Sequence, residues 1–293
     1  MGFRVDVASN SRHAIEAAEE SWGGEEKTFE NPAVQLNVIV QPTGGLAPEP
    51  VFRARRQMFM IVADRDNFAC YESGSMSGSC FVSEKTVADH PWFRFHFLET
   101  MAYMLLAQRW VMALHAACVV HDGRGFLLCG HSGAGKSTLA WTCARNGWTY
   151  VTDDGAWLPV ESGAPLALGR SRFIRFRDDA PGLFPELAGY RVGARPNGKL
   201  TIEIPLAGFP KVKTASSCRL GAMVLLDRRP DAEPAASPLA SSEITDRLLR
   251  DMPWYGEAVR ALYQKGVQPL LQVPAYRLSY QETNQAFSLL STL

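Results

Sequence analysis

The residues of this chain best suited to chemistry are consecutive: Gly130-His131-Ser132-Gly133-Ala134-Gly135-Lys136-Ser137-Thr138. The run from Gly130 to Ser137 fits G-x-x-x-x-G-K-[ST], a spacing that cradles phosphate groups. Its glycines let backbone N–H groups turn inward without a Cβ in the way. A helix beginning at Lys136 adds the positive end of its dipole. Lys136 is placed to reach the β- and γ-phosphates of a nucleotide, and Ser137 to put its hydroxyl on Mg²⁺. Such a loop is compatible with an ATPase, a GTPase, a kinase or a switch. What separates them is the carboxylate that serves the metal or the attacking group, and two candidates compete. Asp227 closes the apolar run AMVLLD, as a Walker B acid does. Asp153-Asp154 closes WTYVT, the next strand after the loop's helix, where adjacent acids can divide proton abstraction and metal support between them. A turn at a strand end is the ordinary alternative for an Asp pair.

These residues need scaffolding, and the flanks supply it. LHAACVV reads as a strand, HDGRG as a turn and FLLC as a second strand entering the loop. A helix follows from about Ser137 to Asn146, stopped by Gly147. Strand ends on this side of an open α/β sheet face a ligand crevice. Upstream, VQLNVIV, QMFMIVA, NFACYE and SCFVSE alternate as short strands between Gly/Pro/Ser clusters. Residues 1–30 are polar and helix-tolerant. Apolar residues recur at helical spacing from Phe97 to Leu114, which predicts a packed helix leading into the second part. Arg228–Leu239, rich in Pro and Ala, reads as a surface loop, and two or three helices with the strand AYRLSY complete the chain. The division that follows is a β-rich module over residues 1–90 and a nucleotide-binding domain over 91–293, with an α/β fold.

Bulk properties narrow the class. With 293 residues, 46% hydrophobic and 20% charged, the chain can bury a sizeable core. Lys+Arg and Asp+Glu number 30 each, without the basic excess of a nucleic-acid binder. The six cysteines show no C-x-x-C spacing, which argues against structural zinc. Cys118, Cys129 and Cys143 lie in apolar runs and read as buried, reduced thiols of a cytoplasmic protein. The N-terminal residues lack the apolar core of a signal peptide. No window has the length of a membrane span, since Glu99, Gln108, Arg109 and His115 interrupt the longest apolar stretch. No membrane partner is expected.

The run HAACVVHDGRGFLLCGHSGAGKSTLAWTCARNGWTYVTDD, residues 115–154, resembles the catalytic core of the HPr serine kinase/phosphorylase family, and most the HPr kinase-related kinases. His115 opens the hairpin, Gly147-Trp148 ends the helix and Asp153-Asp154 closes the strand, in the family's order. The resemblance implies a P-loop kinase core of the HPr kinase/PEP carboxykinase type, ATP and Mg²⁺ as cofactors, and transfer to a hydroxyl, such as Ser of a protein or peptide. Asp153 would then be the general base, Asp154 would join Ser137 at the metal, and His115 would lie near the phosphates. Relatives form oligomers, so a homo-oligomer is implied as well. The chain departs from the family at His131, usually acidic, and Thr138, usually Glu; residues 1–90 do not resemble its N-terminal domain. A small-molecule kinase and a non-catalytic ATP-binding protein are the alternatives.

Other residues have two readings each. Gly169–Arg177 is the densest basic run; alternation favours a charged edge strand over a cationic strand gripping phosphate or an acidic peptide. Arg195 and Lys199, around Pro196-Asn197-Gly198, suit either a hairpin turn or a phosphate-closing loop. His131 could add charge beside the phosphates, although that loop position tolerates many residues. Trp254-Tyr255 reads as a packing or interface anchor.

Overall fold

Val34, Leu36, Val38 and Val40 are buried while their neighbours face outward, and this period of two makes Val34–Gln41 a strand with one buried face, an interior strand of the first sheet. The computed structural model describes residues 2–24, 27–190, 192–194, 200–252 and 256–293. Within these, the chain divides into two compact units, Met1–Trp110 and Val111–Leu293. The division lies some way beyond the boundary near residue 90 that the composition suggests. Helices occupy the intervening residues and cluster with the first unit.

Strands β1 (Val5–Ser9), β2 (Val34–Gln41), β3 (Val51–Arg55), β4 (Met58–Val62), β5 (Phe68–Glu72) and β6 (Ser77–Ser83) form the first sheet, in the order β1-β2-β6-β5-β4-β3. β1, β2 and β6 are parallel, and the rest is an antiparallel meander. A parallel β1–β2 pair needs a crossover, and helix α1 (Arg12–Trp22) lies on it. Helices α2 (Glu84–Ala88) and α3 (His90–Phe93), a π-helical turn at Arg94–Leu98 and helix α4 (Glu99–Ala107) follow β6. This unit is therefore a mixed sheet with helices, not a β-rich module alone. The helix predicted over Phe97–Leu114 ends at Ala107. Its last residues, Val111–Leu114, form strand β7, which pairs antiparallel with a later strand. Strand pairing overrides helical spacing there.

The second unit is built on a larger sheet. After β7 come β8 (Ala117–His121), β9 (Arg124–Cys129), helix α5 (Lys136–Arg145), β10 (Thr149–Thr152), β11 (Ala156–Pro159) and β12 (Leu166–Leu168). A separate three-stranded sheet contains β13 (Phe173–Arg177), β14 (Val192–Ala194) and β15 (Leu200–Pro205) in the order β13-β15-β14. β16 (Lys213–Thr214), the long β17 (Ser217–Arg228), β18 (Ala235–Leu239) and β19 (Ala275–Tyr280) return to the large sheet. Helices α6 (Ser241–Arg250), α7 (Glu257–Gly266) and α8 (Thr283–Leu290) complete the unit. Residues 235–239, read as loop, instead pair with β19; Pro238 is accommodated because β18 is an edge strand.

Both faces of the large sheet are covered. Leu128, Tyr150, Val224 and Leu226 pack with Trp141 of α5 and Leu290 of α8. Cys129, Val151, Met223 and Leu225 pack on the other side with Leu248 of α6 and Tyr263 of α7. Burial on two faces explains why these strands read as unbroken apolar runs. Cys118, Cys129 and Cys143 are buried, unbridged thiols. Among the described residues, no helix is long and apolar enough to cross a membrane. Arg195–Lys199 and Pro253–Tyr255 lie outside the described residues.

Candidate active site

Strand direction brings the candidate residues together. β9, β17 and β19 are mutually parallel; β8 runs antiparallel to β9, and β10 antiparallel to β8. The C-terminal ends of β9, β10, β17 and β19 therefore share one edge with the start of β8. The glycine-rich loop leaves β9 at that edge, Asp153-Asp154 leaves β10, Arg228 and Tyr280 end β17 and β19, and His115 precedes β8. A cavity of about 470 Å³ opens there. It is lined by His115, Ser132, Gly133, Gly135, Lys136, Ser137, Thr138, Asp153 and Asp154, and also by Arg175, Arg177, Asp179, Thr201 and Arg228.

Local chemistry explains each placement. The β8–β9 hairpin turns on Asp122-Gly123, both with positive φ, as a two-residue turn of this kind requires. His115 lies not in the hairpin but at the bend between β7 and β8. Gly135, at φ 92°, is a position that an L side chain occupies only under strain, and a Cβ there would stand 3.0 Å from Tyr280 Oη. Tyr280 Oη in turn donates to the Ala134 carbonyl at 2.6 Å, tying β19 to the loop. Helix α5 ends at Arg145, and Gly147 follows at φ 87°, as its sequence predicts. In β10 the register against β8 slips between Tyr150 and Thr152, a bulge that redirects the residues after it.

Lys136 is buried. Its ammonium donates to the carbonyls of Gly130 (2.8 Å) and His131 (3.2 Å) and to His115 Nε2 (3.0 Å). Because an ammonium only donates, Nε2 accepts and the ring proton sits on Nδ1, 2.6 Å from Asp154 Oδ1. His115 thus couples the loop lysine to one of the two acids. Burial lowers the pKa of Lys136, and the nearby Asp154 charge pulls it partly back.

Asp153 is enclosed. Its Oδ1 accepts from the Tyr150 hydroxyl at 2.8 Å and its Oδ2 from the Arg175 backbone N–H at 3.1 Å. Burial first, then the charge of Asp154, raise the Asp153 pKa above the ordinary carboxylate range; the two hydrogen bonds and Arg175 oppose them. The adjacent acids are therefore unlike. One is buried with raised basicity, and the other is partly exposed and bonded to His115.

The basic run is an edge strand that also borders the cavity. β13 is an edge strand with Ile174 and Phe176 in the core, and Arg175 and Arg177 reach the cavity from it. Arg175 also pairs with Glu203 at 2.7 Å. Three of the proposed loop residues do not line the cavity. Gly130 lies against Ala134 and Leu226, Ala134 is buried, and the exposed His131 turns its Nδ1 to the Ser132 carbonyl, 2.9 Å away. Asp227 also lies outside the lining, with Arg229 Nε 3.4 Å from its Oδ1; its neighbour Arg228 is the lining residue. Tyr150, Asp179, Thr201, Arg228 and Tyr280 had no motif to mark them. Thr201, Arg228 and Tyr280 come to the site on strands distant in sequence, Asp179 in the turn after β13, and Tyr150 from β10 three residues before Asp153.

The donors suit a magnesium–nucleotide complex. Ser137 and Asp154 offer the hard oxygen ligands that Mg²⁺ prefers. Lys136, Arg175, Arg177 and Arg228 line the cavity beside Asp153, Asp154 and Asp179, and are the donors that phosphate oxygens would pair with.

No protein-family model matches this chain, and no curated protein matches it. A solved structure, the Hpr(Ser) kinase/phosphatase from Coxiella burnetii, is similar over 62% of this chain and 95% of that one, with 14% sequence identity and a TM-score of 0.34.

Proposed function

We propose that this chain transfers the γ-phosphoryl group of ATP to a hydroxyl, with Ser of a protein or peptide as the acceptor class. The observation that carries the reading is the buried, basicity-raised Asp153 in the same cavity as Lys136, Ser137 and Asp154. A hydrolase needs only a positioned water, whereas an enclosed base beside a phosphate cradle suits deprotonation of an alcohol. The resemblance of residues 115–154 to HPr kinases supports the same assignment.

Ser137 and Asp154 would hold Mg²⁺, which would neutralise charge on the phosphates of the ATP substrate. Lys136 turns from the loop carbonyls toward phosphate oxygens, and Arg177 and Arg228 add charge from the cavity lining. Asp153 accepts the hydroxyl proton on its carboxylate as the acceptor attacks. Tyr150 and the Arg175 N–H hold that carboxylate still. His115 keeps Asp154 and Lys136 in register through its two nitrogens.

Incubation of the purified protein with γ-labelled ATP and a cell lysate tests this. Label on protein, lost in Asp153→Asn and kept in Asp227→Asn, is the expected result. Label on small metabolites makes it a small-molecule kinase. Unchanged ATP binding with no transfer in any lysate makes it a non-catalytic binder. If Asp227→Asn alone abolishes transfer, the base is misassigned.

A further inference from the structure

The first unit carries a group of metal-ligating side chains for which phosphoryl transfer has no use. His13 and Glu16 are three residues apart on α1 and so share one face of the helix. His90, the first residue of α3, meets them, with its Nε2 3.3 Å from His13 Nδ1. Glu16 Oε2 is 3.7 Å from that same nitrogen. The three candidate ligand atoms all lie within 4.8 Å of one another.

What surrounds these atoms orients them. His90 Nδ1 is 2.6 Å from Glu20 Oε1. A carboxylate only accepts, so Nδ1 carries the proton and the Nε2 lone pair is left facing His13. A carboxylate behind the ring is how proteins set the tautomer of a ligating histidine. Glu20 itself has Arg94 Nε 3.6 Å from its second oxygen. Glu16 is divided in the same way: Arg12 Nε donates to Oε1 at 2.7 Å, and Oε2 faces His13. The spacing points the same way. Two nitrogens on one tetrahedral ion, each at about 2.0–2.1 Å, stand about 3.3–3.4 Å apart. The observed 3.3 Å fits that edge, and it is long for a direct hydrogen bond.

We propose that His13, Glu16 and His90 bind a divalent transition-metal ion of the zinc class, with water completing the coordination and Glu20 positioning His90. Two imidazoles and a carboxylate suit such an ion better than Mg²⁺ or Ca²⁺, which take oxygen ligands. His90 is mostly buried while the His13 side chain is 58% exposed, so the ion reaches the site from solvent and bridges α1 to α3.

The test is a titration of tag-free, chelator-stripped full-length protein with Co²⁺, followed by its visible absorption, and then displacement by Zn²⁺. Intense tetrahedral-type bands saturating at one ion per chain are expected. His13→Ala and His90→Ala each abolish them, and Glu20→Gln weakens binding by about 10- to 100-fold. The exposure of His13 makes His13→Ala the variant least able to disturb folding, and its circular dichroism should match wild type. Asp154→Asn, in the other unit, leaves the titration unchanged. The proposal is overturned if wild type shows neither the bands nor Zn²⁺ binding, if both histidine variants titrate like wild type, or if the bands vanish only in Asp154→Asn.

Discussion

At Asp153 the ionised form has lost its water and lies near the charge of Asp154, so the charge is costly at the residue proposed as the base. The consequence for stability has a definite sign. A carboxyl whose pKa is raised on folding costs nothing below its unfolded pKa and becomes a burden as pH rises through its folded pKa. Asp153→Asn removes that burden; its single amide oxygen can still accept from the Arg175 N–H, while its amide nitrogen donates to the Tyr150 hydroxyl, which keeps the Phe173 carbonyl as its acceptor. Thermal melts should therefore show the variant at least as stable as wild type at pH 8, with the gap closing toward pH 4, while transfer is lost. Asp154→Asn removes the second cause of the shift. Its residual transfer rate should rise with pH at a lower inflection than wild type, and an unmoved inflection would mean that Asp153 is not the titrating base.

Two elements set the loop, and each can be loosened separately. Gly135→Ala forces a side chain into a left-handed position near Tyr280 Oη and should lower stability by about 1–2 kcal/mol in urea unfolding. Tyr280→Phe deletes the hydrogen bond to the Ala134 carbonyl and should lower it by about 1 kcal/mol. Both should weaken ATP binding in titration calorimetry. Helix α5 depends on packing more than on propensity. Trp141 is fully buried, edge-on to Phe176 and Phe209, so Trp141→Ala should cost about 3–5 kcal/mol by the same denaturant measurement.

For the whole molecule, the two units hold chemically different candidate sites, a phosphate cavity in the second and an imidazole–carboxylate cluster in the first. Ligands bound to the native state slow hydrogen exchange where they bind. A non-hydrolysable ATP analogue with Mg²⁺ should protect peptides spanning Gly130–Thr138 and Asp153-Asp154. Zn²⁺ without nucleotide should protect those of α1 and α3. Protection of the same peptides by both ligands would contradict the separation of the two sites.

Much of the second unit could be read from its residues because the information is local. A phosphate loop needs glycines, a lysine and a hydroxyl within nine positions, and strand–loop–helix flanks follow from unbroken apolar runs and Gly147. The Asp pair sits one strand on, close enough in sequence to be weighed beside the loop. Fold assembly supplied the rest. Val111–Leu114 has helical spacing but becomes a strand because β11 lies there to pair with it. Residues 235–239 look like loop until β19 offers an edge. Neither the choice of Arg228 over Asp227 at the cavity nor the link from His115 to Lys136 and Asp154 has a signature in spacing. Both depend on parallel and antiparallel strands ending at one edge, and on a bulge in β10. His13 and His90 are the extreme case, 77 positions apart and joined only by the packing of α1 against α3. Short-range patterns marked the candidate phosphate loop and its neighbouring acids, because the chemistry proposed there is made by adjacent residues. Only the tertiary structure decided which acid is buried and which distant side chains meet it, because burial and contact belong to the assembled chain.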